Sequence, residues 1–296
     1  MPLGSKTTTL WIEPTGGPLG ADVHGIDLSR DIDQTAFAMI ADAWAKHLVL
    51  RFSGQRLDDE ALMRFSRKWG ELDRAPLGTG AEKVNGVAAN AVDWVVVISN
   101  VKVDGKPIGG LGSYESVWHT DMSYNPLPPR ASLLYAIECP ATGGDTGFSN
   151  MEMAYDTLTE DLKKRIQGKV CTHDSSRNSA GQFRRGFKEV NDPRETPGAA
   201  HPLVRKHPVT GRRSLFLGRR VGAYVHGLPV ADSEALLNAL WAHASQPKFA
   251  WYQHWRVGDL MMWDNRCVMH RRDEFDESAR RVMHRTQIVG EPVLVG

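Results

Sequence analysis

Apolar residues along this chain recur mostly with the short period of β-strands, and only a few stretches have helical spacing. Helical spacing follows Asp33 and Asp58, which are both N-cap residue types, and Gly70 is expected to end the second helix. A third helix is predicted to begin near Asp232 or Ser233. The apolar stripes of these three helices are Phe37, Ile40, Ala41, Trp44 and Leu48; Leu62, Phe65 and Trp69; and Leu237, Leu240, Trp241 and Ala244.

The remaining apolar segments are short and rich in β-branched and aromatic residues, which is typical of strands. Strands are predicted within 94–101, 131–138, 249–255, 260–263 and 281–289, and a hairpin within 203–219 around the turn 208–211. Many short strands, few helices and frequent Gly and Pro predict a mainly β fold with flanking helices and a double-sheet barrel or jelly-roll core.

No interdomain linker is visible, so residues 1–296 are predicted to form a single domain. The stretch 175–200 is polar and rich in Arg, Gly and Pro, and it is long for a structureless connection. We therefore predict that this stretch is an active-site lid or an insertion.

Composition narrows the function classes. The chain has 296 residues, 41% hydrophobic and 24% charged, with a formal net charge of +1, so we expect neither a nucleic-acid nor a membrane partner. Cys139, Cys171 and Cys267 lie far apart, which argues against a disulfide framework and a cysteine-built zinc site. No signal-peptide pattern or long apolar span is present, which favours a cytoplasmic protein.

A candidate metal site begins at Trp118-His119-Thr120-Asp121. If this segment is extended, the side chains of His119 and Asp121 lie on one side of the strand and can reach one metal ion. His270 follows an apolar run that predicts a strand entering a turn, and it is the best candidate for a third ligand. Two histidines and one carboxylate form the facial triad of non-haem iron(II) oxygenases, although catalytic zinc also needs only three protein ligands.

A second set of residues favours iron over zinc. Thr146 ends the motif Gly143-Gly144-Asp145-Thr146, and Arg281 and Arg285 follow His270 on one predicted strand face. A keto-dicarboxylate that chelates iron leaves one carboxylate free, and an Arg fork with a nearby hydroxyl suits that carboxylate. We therefore predict that Arg281 and Thr146 bind the cosubstrate and that Arg285 binds an anionic group of the substrate. Arg280 is expected to be a surface ion pair.

Taken together, the order and spacing of these motifs closely resemble the taurine dioxygenase-like family, which includes taurine, alkylsulfate and aryloxyalkanoate dioxygenases. The resemblance covers nearly the whole chain and rests on residues 118–121, 143–146, 263–266, His270 and 281–285. It implies a double-stranded β-helix and binding of iron(II) by His119, Asp121 and His270. It also implies 2-oxoglutarate on Thr146 and Arg281, dioxygen as oxidant, release of succinate and carbon dioxide, and a homo-oligomer, either a dimer or a tetramer.

The expected substrate is a small organic anion whose C–H bond is hydroxylated. Taurine itself is not expected, because Glu115 stands where the taurine enzyme has an Asn and because 73–77 does not match that enzyme's pocket residues. The stretch 98–105 is more similar to the aryloxyalkanoate branch. Two other readings remain: a zinc hydrolase with the same three ligands, which leaves Thr146 and Arg281 without a role, and a non-catalytic β-barrel binding protein.

Overall fold

A computed structural model describes residues 9–74, 94–113, 116–179, 181–184 and 186–296. The described helices are α1 (Gln34–His47), α2 (Asp59–Arg67), α3 (Met151–Asp156), α4 (Glu160–Ile166) and α5 (Val230–Ala244), with 3₁₀ turns at Pro193–Glu195 and Pro247–Phe249. The described strands are β1 (Trp11–Pro14), β2 (Ala21–His24), β3 (Val49–Phe52), β4 (Val96–Ser99), β5 (Lys102–Val103), β6 (Lys106–Pro107), β7 (Gly110–Leu111), β8 (Ser116–His119), β9 (Ala131–Glu138), β10 (Thr146–Asn150), β11 (Val170–Thr172), β12 (Ala200–Pro202), β13 (Val204–Lys206), β14 (Arg213–Leu215), β15 (Tyr224–Val225), β16 (Ala250–Gln253), β17 (Leu260–Asp264), β18 (Val268–Arg272), β19 (Val282–Ile288) and β20 (Leu294–Val295).

Two sheets carry the residues of the predicted site. The large sheet has eight strands in the order β1-β2-β3-β17-β9-β19-β4-β7, and the small sheet has four in the order β16-β10-β18-β8. Three further sheets of two or three short strands complete the described part of the chain. The mainly β fold with flanking helices is therefore confirmed.

The large sheet is buried on both faces, which explains the nearly continuous apolar run of β9. Leu133 and Tyr135 belong to a core cluster with the apolar stripes of α1 and α2. Leu134 belongs to a second cluster with Phe148 and Val268 of the small sheet. Since alternate residues of a strand point to opposite faces, the helices cover one face of the large sheet and the small sheet covers the other.

The three predicted helices are confirmed, with shifts at their ends. Asp33 and Asp58 are the N-caps of α1 and α2, and their side chains accept hydrogen bonds from the backbone N–H groups of Ala36 and Ala61. Helix α2 ends at Arg67, earlier than the predicted stop at Gly70, and α5 begins at Val230, earlier than Asp232. No helix among the described residues has the length and hydropathy needed to cross a bilayer.

Each of the predicted strand segments contains a strand, and the hairpin is confirmed as β13 paired with β14. The strand within 281–289, β19, is not the last one of the chain, because β20 follows it and pairs with β13. Helices α3 and α4 were not predicted. They have only six and seven residues, too few to display a helical repeat, although Asn150 and Thr159 cap them.

Helix α2 supports the strand that carries Arg285. The Ser66 hydroxyl lies 2.7 Å from that of Thr286, and Asp59 Oδ1 lies 2.6 Å from His284 Nδ1. Both contacts connect α2 directly to β19, so the stability of α2 bears on the position of this strand.

Asp58→Ala removes the N-cap hydrogen bond of α2 and is expected to lower the free energy of unfolding by about 1 kcal/mol. Chemical denaturation followed by circular dichroism measures this change. Asp42→Ala is the matched control, because Asp42 lies exposed in the middle of α1. An equal effect of the two substitutions would contradict the role of the cap.

Candidate metal centre

His119 and His270 are brought together by strand pairing in the small sheet. Strand β18 pairs antiparallel with β8, and His270 lies directly opposite His119. Side chains of such a pair lie on the same face, and here the two imidazole rings lie 4.2 Å apart, centre to centre. The predicted strand that enters a turn before His270 is β17. The turn spans 265–267, and His270 is in the middle of the following strand.

Asp121 reaches the same point from a turn and not from an extended strand, which corrects the predicted geometry. Strand β8 ends at His119, because the Thr120 N–H donates to the carbonyl of Gly218 and the chain then turns. Met122 has φ +44°, a left-handed conformation that non-glycine residues rarely adopt. The change of direction still directs the Asp121 carboxylate toward the two histidines.

The three side chains form a group that could hold a metal ion. Asp121 Oδ1 lies 3.6 Å from His119 Nε2 and 3.8 Å from His270 Nε2, and all three residues are buried. His119 Nδ1 lies 2.7 Å from the carbonyl oxygen of Val117, which favours the tautomer with its proton on Nδ1. The Nε2 lone pair then faces the centre, as it does in metal-binding histidines whose second nitrogen donates to a carbonyl.

A buried hydrogen-bond network holds the Asp121 carboxylate. Its Oδ2 accepts a bond of 2.9 Å from the Ser132 hydroxyl and one of 3.2 Å from the Gln287 amide. Asn265 donates to Ser132 and accepts from the Trp263 indole, each at 2.9 Å. Ser132 and Gln287 were missed from the sequence. Asn265 belongs to the motif 263–266, whose role was not predicted.

Electrostatics keep Asp121 and His270 in the protonation states that bind metal. Burial would raise the pKa of Asp121, but the charge of Arg285 and the two histidines outweigh it and hold that pKa well below its ordinary value. Burial, reinforced by His119, lowers the pKa of His270 to about 3. At neutral pH the site therefore presents a carboxylate and a neutral imidazole at His270.

Thr146 and Arg281 line the same cavity as the three ligand residues. Thr146 begins β10, opposite Arg272 of β18, and its hydroxyl accepts a 2.9 Å bond from the indole N–H of Trp255. Arg281 is 2% exposed, and its Nε has no hydrogen-bond partner among the described residues. Burial, with Arg272 nearby, lowers the pKa of Arg281 to about 9, so its guanidinium is charged at neutral pH but poorly solvated.

Arg285 also lines the cavity, as its spacing from Arg281 predicts. Its Nη1 lies 3.2 Å from both carboxylate oxygens of Asp121. Arg285 therefore stabilises the ionised form of Asp121 while it faces the cavity. Arg280 is exposed and forms an ion pair with Glu138, at 2.6 and 2.9 Å, as predicted.

One residue of the predicted lid lies at the edge of this site. Ser179, within the segment 175–200, forms part of the cavity wall, and its carbonyl accepts from the backbone N–H of Val117. The start of 73–77 is described, but Glu115 and residues 75–77 lie outside the described residues.

A second group of potential ligands, His207, Asp264 and Cys267, is better explained by structural hydrogen bonds. Arg266 donates to both carboxylate oxygens of Asp264, and His207 Nε2 lies 3.0 Å from one of them. Burial raises the pKa of Cys267 well above its ordinary value, so the thiol keeps its proton. Asp264 already has hydrogen-bond partners on both oxygens.

The fold and the site define a class before any comparison: a mainly β protein with two histidines and one aspartate around a buried cavity. Comparison with known protein families identifies the family within this class. Residues 11–287 match the model of the taurine catabolism dioxygenase TauD, TfdA family. The chain belongs to this family.

Curated relatives and a solved structure agree with this assignment. The α-ketoglutarate-dependent 2,4-dichlorophenoxyacetate dioxygenase of Burkholderia sp. (strain RASC) is 36% identical over 89% of this chain and 85% of its own length. The (S)-phenoxypropionate/α-ketoglutarate-dioxygenase of Delftia acidovorans is 33% identical over 98% of each chain. The crystal structure of AAD-2 with Mn(II) and N-oxalylglycine has a TM-score of 0.79 and 32% identity, covering 97% of this chain and 99% of that one.

Ser132→Ala removes a donor to Asp121 and is expected to weaken divalent metal binding by about tenfold to a hundredfold. Anaerobic calorimetric titration with Mn(II) measures the affinity. Ser149→Ala is the matched control, because Ser149 is also buried and donates to the carbonyl of Ala244. Similar affinities for the wild type and Ser132→Ala would contradict a supporting role for this network.

The metal-free protein is expected to lose stability as the pH falls from about 6.5. Burial lowers the pKa of His173, like that of His270, to about 3. Between about pH 6.5 and pH 3 the unfolded chain binds more protons than the folded chain. Each of these two histidines therefore lowers the free energy of unfolding by up to about 1.4 kcal/mol for each unit by which the pH falls. Denaturation at several pH values measures the slope, and His173→Asn should make it shallower. A stability that does not change between pH 6.5 and 5 would contradict this account.

Proposed function

We propose that this protein binds iron(II) through His119, Asp121 and His270 and couples the oxidative decarboxylation of 2-oxoglutarate to hydroxylation of a small organic anion. The observation that carries the proposal is the shared cavity, in which this metal-binding group, Thr146 and the buried Arg281 all contact the same space. Three protein ligands on one side of an iron ion leave positions for a keto acid and dioxygen.

The chemistry that iron supplies when bound is activation of dioxygen, with succinate and carbon dioxide as by-products. The chain's own residues hold the reactants in place. His119 and His270 contribute neutral nitrogens, and Asp121 contributes the negative charge that partly balances a divalent ion. The buried network behind Asp121 fixes the orientation of its carboxylate.

Arg281 and Thr146 are proposed to bind the distal carboxylate of 2-oxoglutarate. Leaving a buried guanidinium without an anion is costly, and Arg281 forms no ion pair with a described carboxylate. The Trp255 indole can only donate, so the Thr146 oxygen accepts from it and its own O–H remains available to donate. A carboxylate between these two donors would balance the charge of Arg281.

The substrate is proposed to be a small carboxylate of the aryloxyalkanoate type, or a sulfonate or sulfate ester, with Arg285 contacting its acidic group. The names of the relatives support this class, since they include dichlorophenoxyacetate, phenoxypropionate and sulfate ester dioxygenases. The segment 175–200 is proposed to be the lid, since Ser179 already forms part of the cavity wall.

We also propose that the two facing sheets form a double-stranded β-helix and that 1–296 is one domain. The protein is further proposed to be a cytoplasmic homo-oligomer, either a dimer or a tetramer. The zinc hydrolase reading has less support, because it assigns no role to a buried, unpaired Arg281. A binding protein without activity has less support too, because it does not require a metal-binding group beside this cation.

Arg281→Gln is expected to raise the KM for 2-oxoglutarate by about thirtyfold or more, because it removes a buried charged contact. Succinate release by the iron-reconstituted protein measures this, with a panel of aryloxyalkanoates, alkylsulfonates and alkyl sulfates. Arg280→Gln is the matched control, since the neighbouring Arg280 is an exposed ion pair, and its KM should not change. His270→Ala should abolish succinate release and reduce the iron content.

Two outcomes would contradict this proposal. The first is an absence of iron-dependent succinate release by the wild type with every member of the panel. The second is an unchanged KM for 2-oxoglutarate in Arg281→Gln, which would remove the assigned binding site while leaving the metal site in place.

A further inference from the structure

Three of the arginines on or near the predicted lid, Arg177, Arg219 and Arg220, are distinguished by their partners. Arg220 contacts Glu234 and Asn238, and Arg177 lies 3.7 Å from the carboxylate of Glu189. Arg219 differs from both. It is 8% exposed and forms no ion pair with a described carboxylate, and its Nε has no hydrogen-bond partner among the described residues.

The position of Arg219 connects the metal-binding turn to the predicted lid. The carbonyl of the preceding residue, Gly218, accepts from the N–H of Thr120, between two of the metal-binding residues. The Arg219 Nη1 donates to the carbonyl of Arg177 at 2.6 Å.

A second cation and a phenol lie beside Arg219. Its guanidinium lies 5.2 Å from the ring centre of Tyr124, and that of Arg184 lies 4.1 Å from the same ring. Arg184 also donates to the Tyr124 hydroxyl, and it forms no ion pair with a described carboxylate. Two guanidinium groups therefore share one aromatic ring, and the described carboxylates that act on Arg219, Asp121 and Asp174, do so without a close ion pair. Such a positive site favours an anion.

Arg285 cannot supply the same charge alone, because it already lies 3.2 Å from the Asp121 carboxylate. Of the cations that line the cavity, Arg281 is assigned to 2-oxoglutarate, Arg285 is shared with Asp121, and Arg272 donates to the carbonyl of Leu111. Arg219 is buried beside the metal-binding turn, on the lid side, and it has no assigned anionic partner.

We propose that Arg219 binds the acidic group of the substrate from the lid side of the cavity, with Tyr124 and Arg184 beside it. The ligand is a small organic molecule with one carboxylate, sulfonate or sulfate group. This inference rests on the proposed dioxygenase function and adds a substrate-binding residue to it. The anion would bind where the Arg219–Arg177 contact already connects the lid to the metal-binding turn.

The test compares Arg219→Gln with Arg220→Gln, a neighbouring substitution whose arginine has Glu234 as a partner. The probe is whichever of 2,4-dichlorophenoxyacetate, an alkylsulfonate and an alkyl sulfate gives the fastest succinate release by the wild type. Arg219→Gln should raise the KM for this anion by about thirtyfold or more. The KM for 2-oxoglutarate and the iron content should stay unchanged, and Arg220→Gln should resemble the wild type in all three.

A neutral counterpart of the probe, such as the amide of the carboxylate, separates substrate binding from a structural role. The wild type should prefer the anion to the neutral compound in kcat/KM, and Arg219→Gln should largely lose this preference. Arg219→Lys should recover part of it.

Equal losses toward both compounds would show that Arg219 only maintains the structure, and an unchanged preference would show that it does not contact the anion. Either result overturns the inference while leaving the dioxygenase function intact. If the wild type releases no succinate with any of the anions, both the dioxygenase function and this anion site are wrong.

Discussion

The antiparallel pairing of β18 with its two neighbours is the constraint on which the site depends. One neighbour, β8, places His119 opposite His270, and the other, β10, places Thr146 opposite Arg272. A shift of one residue in either register would turn a functional side chain to the opposite face of the sheet. Core packing resists such a shift, because Phe148 and Val268 are fully or almost fully buried against the large sheet.

The residues that line the cavity carry more positive than negative charge. Asp121 is the described acid among the cavity-lining residues, whereas Arg281 and Arg285 also line the cavity. Burying more positive than negative charge has a high desolvation cost, and such groups are therefore expected where they have a function. A divalent metal would add to the excess, so the balance points to anionic ligands, one for the cosubstrate and one for the substrate.

Much of the site was predictable from the sequence because its motifs have fixed spacing. The spacing of His119 and Asp121 and that of Arg281 and Arg285 placed these side chains at one site, although the backbone is not regular at either pair. The chain turns at Met122 and has a bulge after Val282, and the side chains still face the cavity. The supporting residues were not predictable. Ser132 lies on the mostly apolar β9 and Gln287 on β19, and only the tertiary pairing of these two strands brings them to Asp121.

The same limit applies to the arginines of the lid. Arg177, Arg219 and Arg220 are equivalent in sequence, and burial together with the position of Glu234 distinguishes them. Short helices such as α3 were missed because their caps lie in segments without a visible repeat. Local patterns therefore predicted the group of potential metal ligands, and long-range packing determined which residues support it.

The most direct test of the central claim is a crystal structure of the protein grown without oxygen in the presence of Mn(II) and N-oxalylglycine. The account predicts the metal on His119, Asp121 and His270, with the distal carboxylate of the ligand on Arg281 and the Thr146 hydroxyl. A metal bound instead by His207, Asp264 and Cys267, or a ligand carboxylate that does not contact Arg281, would contradict it.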